Sequence, residues 1–241
     1  MAYFQFLGSG PMGATAEGIG RNFRRPASAL LNHISTYLLF DTTTSVTEQC
    51  DQALSVTHVV WTGFGRDHIR GLPDLERWLE MPATALAPAS QLDALRKLGA
   101  FRKLQFEALQ PLVPTTLSDI ILTPFPLTGA GGQALWGYHV DTGKKRITVA
   151  PSAAAVPEAS MPYLASNDLL VIDGGGWLRD TPQHLGALNQ LPLWLEKANE
   201  AVVFTSIPAD APPHTQAVAA VRRVSHRADI AYDFMKFPLG R

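Results

Sequence analysis

Apolar residues in this chain fall in short runs broken by glycine, proline and charged positions, and the runs switch between two periods. Compact runs rich in β-branched and aromatic residues predict strands at 3–7, 36–40, 57–61, 84–87, 120–125, 135–140, 147–150, 169–172, 201–205 and 230–237. Their stops are legible. Gly8, Ser9, Gly10 and Pro11 close the first, Asp41 the second and Gly63 the third, while Asp173 and the glycines at 174–176 close the run at 169–172. Spacings of three and four predict helices between them. Leu72, Leu75, Trp78 and Leu79 share one face of a helix beginning after Asp67; another spans 91–98, closed by Gly99, and another 216–223. A helix over 42–52 has Thr or Ser available as N-cap, and one over 185–198 must kink or break at Pro192. The stretch from Pro11 to Pro26 is polar, Gly-rich and irregular.

Strands followed by helices recur in both halves, with no low-complexity linker and no exact internal repeat. That pattern predicts one α/β domain over residues 1–241, built of two sheets with helices outside. Hydrophobic residues make up 46% and charged residues 17%, too apolar for disorder and enough for a substantial core. With 20 Lys and Arg against 21 Asp and Glu, the formal charge of -1 excludes a nucleic-acid binder that works by bulk electrostatics. The first residues lack a basic segment followed by a long apolar core, and no stretch approaches the ~18 apolar residues of a membrane span. A cytoplasmic location without membrane insertion is the expectation. Cys50 is the lone cysteine, which rules out an internal disulfide or a CxxC zinc site. A small buried residue is the ordinary role for such a cysteine.

The segment 57–72 carries the chemistry. A buried strand runs into a loop holding Asp67 and His68, and a helix follows. Thr62, Asp67, His68, Gly71 and Leu72 stand where the metallo-β-lactamase superfamily has Thr-His-x-His-x-Asp-His-x-x-Gly-Leu, and the chain resembles that superfamily over most of its length. Phe6, Leu7, Gly8, Ser9 and Gly10 resemble its opening strand and glycine turn, and residues 35–41 its second strand, ending in an acid. Within the superfamily the chain is most similar to the branch holding the B protein of pyrroloquinoline quinone biosynthesis, the cyclic phosphodiesterase of phosphonate breakdown and ribonuclease Z. The likeness to the quinone-biosynthesis protein rests on Thr123 to Leu127, Val140 to Thr142 with Val149 to Pro151, Leu169 to Gly174 with Trp177, and Ala231 to Met235. The Cys-rich stretch near the start of the quinone-biosynthesis protein is absent. The resemblance implies a four-layer αββα sandwich and a metal-dependent hydrolase ancestry.

It also implies metal ligands at positions where this chain has none. The two motif histidines that hold the first metal fall on Gly63 and Gly65, a third falls near Thr128 or Gly129, the bridging aspartate near Ser152 and the last histidine on Ser206. A glycine donates nothing to a metal, so a dinuclear centre is not expected. Asp67 and His68 remain as a metal half-site, and His184 fits the histidine at a helix start that serves as proton donor. These three are the candidate catalytic residues; a single Zn, Fe or Mn ion on Asp67 and His68 would need further donors.

Two functional readings follow. In one the metal site is degenerate and the protein binds a small molecule, in the cleft between sheets, or a partner. In the other an altered enzyme uses Asp67, His68 and His184 with one metal or none, for hydrolysis of a phosphate ester or for oxidative chemistry on a modified amino acid. Asp67 and His68 have a bland alternative as residues capping the helix near Ile69. Among the other histidines, His33 and His139 are candidates to reach the cleft, His58 belongs to its strand, and His214 and His226 fall on helix surfaces. Asp141 has turn chemistry, Asp173 stands beside flexible glycines that let a ligand approach, and Lys144, Lys145 and Arg146 form a hairpin tip. A third possibility is a homodimer with an apolar surface drawn from Trp61, Trp136, Trp177 and Trp194, residues that also suit a core.

Overall fold

The structure, a computed structural model, describes residues 2–11, 21–50, 55–151, 153–175 and 190–240. Their strands form two seven-stranded sheets. The first holds β1 (Tyr3–Gly8), β2 (Ser28–His33), β3 (Thr36–Phe40), β4 (His58–Val60), β5 (Ala83–Pro88) and β6 (Leu104–Leu109). The second holds β7 (Thr115–Leu117), β8 (Ile120–Thr128), β9 (Ala134–Asp141), β10 (Arg146–Ala150), β11 (Asn167–Asp173), β12 (Ala198–Thr205) and β13 (Ala228–Ile230). The last strand, β14 (Lys236–Pro238), returns to the first sheet beside β1.

Strands β1 to β6 and β8 to β13 run in the same order. In each set two antiparallel pairings are followed by three parallel ones. Each set gains one antiparallel edge strand, β14 on β1 and β7 on β8. Parallel neighbours need crossovers, and helices supply most of them. On the first half these are α1 (Val46–Gln49), α2 (Arg66–Ile69), α3 (Leu72–Trp78) and α4 (Ala89–Arg96); on the second, α5 (Leu191–Lys197) and α6 (His214–Val224).

Three apolar layers hold this together. Between the sheets lie Phe4, Phe6, Leu31, Leu38, Phe40, Val60, Leu122, Tyr138, Val140, Val149 and Val171. Leu72 and Leu75 of α3 and Leu92 and Leu95 of α4 cover the outer face of the first sheet. Trp194 of α5, with Ala217 and Val221 of α6, covers that of the second. The result is the αββα sandwich that the sequence resemblance implies. Each fully buried aromatic or aliphatic side chain contributes about 1.5–3 kcal/mol, and period-2 alternation sends neighbours to opposite faces. Polar ties also cross between sheets: the Tyr138 hydroxyl donates to the Trp61 carbonyl (2.7 Å), the Trp136 amide to Thr62 (2.8 Å) and the Ile207 amide to Ser9 (2.9 Å).

Several expectations need correction. Residues 28–33, to which no element was assigned, form β2, and β6 and β7 were not predicted either. β2 is buried along nearly all its length but ends in Asn32 and His33, which mask it, while β6 is a largely exposed edge strand carrying Gln105 and Glu107. Within 42–50 the helix is a single turn, Val46–Gln49, stopped where Cys50 turns extended. Pro192 stands at the start of α5 and not at a kink within it: it occupies the first turn, where its missing N–H costs nothing, and residues 185–189 of the expected helix lie outside the described residues. The final run at 230–237 is two strands in different sheets. Ala231 to Met235 cross between them, Ala231 bonding back to Phe204 of β12 and Met235 accepting from Phe6 of β1.

Candidate functional site

In open α/β sheets the space beyond the carboxyl ends of parallel strands is where ligands bind. Here β3, β4 and β5 of one sheet and β10, β11 and β12 of the other end on the same side of the sandwich as Ser9, Asp41, Thr62, Asp173 and Ser206.

A hydrogen-bonded polar group there is centred on Asp41. It directly follows β3, in a left-handed conformation (φ 63°), and is buried. Its Oδ1 accepts from the Thr62 amide (2.9 Å) and from His68 Nδ1 (3.0 Å), and its Oδ2 from the Thr62 hydroxyl (2.6 Å). With Nδ1 donating, the His68 ring carries its lone pair on Nε2. The backbone carbonyl of His68 accepts from the Thr42 amide (2.8 Å), and the Trp61 indole donates to the Thr42 hydroxyl (2.8 Å). The strand end and the helical turn carrying His68 are therefore fixed to one another at several points. Asp41 is the residue that sequence reasoning left without a role, although the acid ending the second strand was the signal for it.

Asp67 and His68 both lie in α2, whose N-cap is Gly65, and their side chains part company. His68 is buried, whereas Asp67 is exposed in the first turn, where an acid favours the helix end. Gly71 follows for a steric reason: a Cβ there would sit 2.0 Å from the Thr43 carbonyl oxygen.

The two glycines at the missing-histidine positions differ. A Cβ on Gly63 would stand 2.7 Å from His68 Nε2 and 2.9 Å from two ring carbons, so the His68 ring already fills that space. A Cβ on Gly65 would meet nothing closer than Gln133 at 3.5 Å. On the second sheet, Ser206 keeps a left-handed backbone (φ 56°), and its buried hydroxyl has no hydrogen-bond partner among the described residues. Asp173 is buried and its Oδ1 accepts from the Gly175 amide (2.8 Å). Gly174 is there for space: its Cβ would fall 2.9 Å from the Thr205 carbonyl and 2.3 Å from Ile207. A small, half-open cleft lies between the sheets, lined by Phe6, Phe40, Val149, Val171, Asp41 and Thr205 among others. Its walls are almost wholly apolar.

Ser152 and His184 lie outside the described residues, as does Trp177. The other candidates can be placed. His33 is at the far end of β2, its Nδ1 2.5 Å from Asp119, away from the cleft. Thr36 and Ser35 also bond Asp119, and these contacts hold its carboxyl below the usual range against the opposing effect of burial. His139 points away from the intersheet space, bonding Thr148 (3.0 Å) and lying beside Tyr163, and burial lowers its pKa. His58 bonds Thr57 within its strand region, and burial lowers its pKa too. His214 is not a surface residue: it is buried at the start of α6. Asp141 caps a turn by accepting from the Gly143 amide (2.7 Å), and Lys145 at that tip pairs with Glu200. Trp61 and Trp194 are core residues, and Cys50 is buried with its thiol pushed up to about 12.

A metal is the group that the sequence motif implies. Among the described residues no three His, Cys, Asp or Glu side chains stand together in a way that could hold an ion. The Asp41 carboxylate is committed to Thr62 and His68, and the orphaned Ser206 hydroxyl is a poor substitute for an imidazole. The described residues do not fit a dinuclear centre. No helix among them is long and apolar enough to cross a membrane.

A family model described as a beta-lactamase superfamily domain matches residues 36–226. The chain is similar in structure to a diphosphatase from the PhnP family, with a TM-score of 0.81 at 20% identity, covering 100% of this chain and 98% of that one. It is similar also to Zn(2+)-bound PqqB from Methylobacterium extorquens (TM-score 0.76, 17% identity, 98% and 100% covered). The short form of human tRNase Z is a third neighbour (TM-score 0.72, 16% identity, 99% and 100% covered). Among curated proteins nothing matches the sequence. Identities this low establish a shared fold.

Proposed function

Because the chain belongs to the beta-lactamase superfamily, we propose that it is a member of the metallo-β-lactamase fold whose dinuclear site has degenerated, and that it binds a small molecule in the apolar cleft between its sheets. The observation that carries this is the His68 ring. It is held at Nδ1 by Asp41 and packed into the space that a side chain at position 63 would need. A ligand position that had merely been lost would leave a gap; this one is filled by a hydrogen-bonded neighbour. The lining of the cleft, with Phe6, Phe40, Val149 and Val171 against few polar atoms, suits an apolar body with a small polar handle.

A second reading has its own support. A buried carboxylate that orients an imidazole through Nδ1 leaves Nε2 as a general base, the arrangement by which a metal-free enzyme activates water. In that reading Asp67 and His184 assist His68, and the names of the neighbours, a diphosphatase and a tRNase, point to phosphate esters and anhydrides as substrates to try.

One experiment separates the readings. The protein is purified from cells supplied with zinc, iron and manganese, its metal content is measured, and its turnover of phosphodiester and pyrophosphate substrates is followed beside His68→Ala and Asp67→Ala. The degenerate-site reading expects metal well below one ion per chain and no turnover that depends on His68. Stoichiometric metal overturns it, and metal-free turnover abolished in His68→Ala transfers the case to the second reading.

A further inference from the structure

Three arginines within five residues, Arg21, Arg24 and Arg25, stand beside the first turn of α6, joined to it by Asn22, whose side-chain oxygen accepts from the His214 amide (2.8 Å). Burial lowers the Arg24 pKa, and among the described residues Asp233 is the acid that opposes this. Asp233 lies near, but its Oδ1 is taken by the Ser9 amide and hydroxyl, and its Oδ2 by the Arg25 amide with the Arg25 guanidinium 3.6 Å away. Arg24 is only 8% exposed, yet its one hydrogen bond among the described residues runs from Nη1 to the Ala231 carbonyl (3.1 Å). Arg21 lies over the Tyr232 ring, 4.2 Å from its centre, an arrangement that orients a guanidinium without using its N–H donors.

His214 completes the group. It is 3% exposed, stands edge-on to the same Tyr232 ring (5.4 Å between centres), and its Nδ1 is buried without a hydrogen-bond partner among the described residues. Burial first, then the charges of Arg24 and Arg21, lower its pKa; Asp229 opposes them but is itself paired with Arg222 (2.7 Å). The helix it opens is eleven residues long with no acid in its first turn, and the Asn22 side chain caps its first amide. A buried cation and a buried ring nitrogen without a partner are each costly alone, and an oxyanion satisfies both.

We propose that this corner is a binding site for an oxyanion, a phosphate or carboxylate group, gripped by Arg21 and Arg24 and accepting from His214 Nδ1 at the start of α6. The site is separate from the Asp41–His68 pair and does not depend on whether a metal is bound. It lies close to the cleft: Ser9, which bonds Asp233, also accepts from Ile207, two residues past Thr205 in the cleft wall.

The test is a calorimetric titration of the whole protein with inorganic phosphate and, separately, with succinate, at constant ionic strength in chloride. Histidine side-chain resonances are followed in parallel. Saturable binding of either ion is expected, with a shift of the His214 signals and affinity about tenfold weaker in Arg21→Ala and in Arg24→Met, as for loss of one charge-assisted contact. The ion that binds tells phosphate from carboxylate. Arg21 is exposed, so its replacement carries the test if Arg24→Met fails to fold. Failure of both ions to saturate the wild-type protein, an unmoved His214 signal, or equal affinity in Arg21→Ala would overturn the proposal.

Discussion

A side chain on Gly63 and the imidazole of His68 compete for one space, and Gly65 two residues on has no such rival. The difference is measurable. Gly63→Ala must displace a ring that Asp41 and Thr62 hold, and should cost about 1–3 kcal/mol in urea unfolding. Gly65→Ala occupies open space at an extended N-cap and should cost less than about 1 kcal/mol. Equal costs would remove the steric argument. In the sequence both positions are simply glycine where a histidine is expected. That one is packed and the other open depends on where His68 points, and Asp41, 27 residues away along the chain, decides that.

At the scale of elements, the loop from β4 into α2 and α3 is held by backbone contacts as much as by side chains. The Gly71 amide donates to Thr42 (2.8 Å), the Thr42 amide to His68 (2.8 Å), and Gly71 packs against Thr43 with no room for a Cβ. Gly71→Ala cannot be relieved by moving a side chain, because the obstacle is backbone. It should lower stability by about 3 kcal/mol and blunt any function that needs His68. Unfolding midpoints for Gly71→Ala close to wild type would show that the loop can shift. The motif at 62–72 was legible in sequence because a close backbone approach requires glycine there. Strands β2 and β6 were not, since one ends in polar residues and the other is too exposed to alternate cleanly. The 21–25 segment passed unremarked in an irregular loop, and only its contact with α6 and Tyr232 turns three arginines into a cluster.

For the molecule as a whole, three histidines far apart in the fold, His58, His139 and His214, have pKa values lowered chiefly by burial. Their neutral forms are favoured in the folded state, so the unfolded chain binds more protons between each folded value and the free value of about 6.5. Stability should therefore be complete above that value and decline as the pH falls below it. Urea midpoints from pH 7.5 to 5.5 should drop, and drop less steeply in His139→Gln; a flat profile would contradict the assignment. The lowered carboxyl of Asp119 adds stability above its unfolded value and loses it only at lower pH. The sequence by itself determined the alternation of strands and helices, the family-like motif and the absent imidazoles, because periodicity and residue type are local properties. It did not disclose that residues 3–109 and 120–230 trace the same strand order, since the match lies in pairing rather than in side chains. Nor could it say that Asp41 grips His68, that His33 and His139 face away from the cleft, or that His214 is buried beside Arg24. Those depend on which chain segments meet, and only the packing of one sheet on the other decides that.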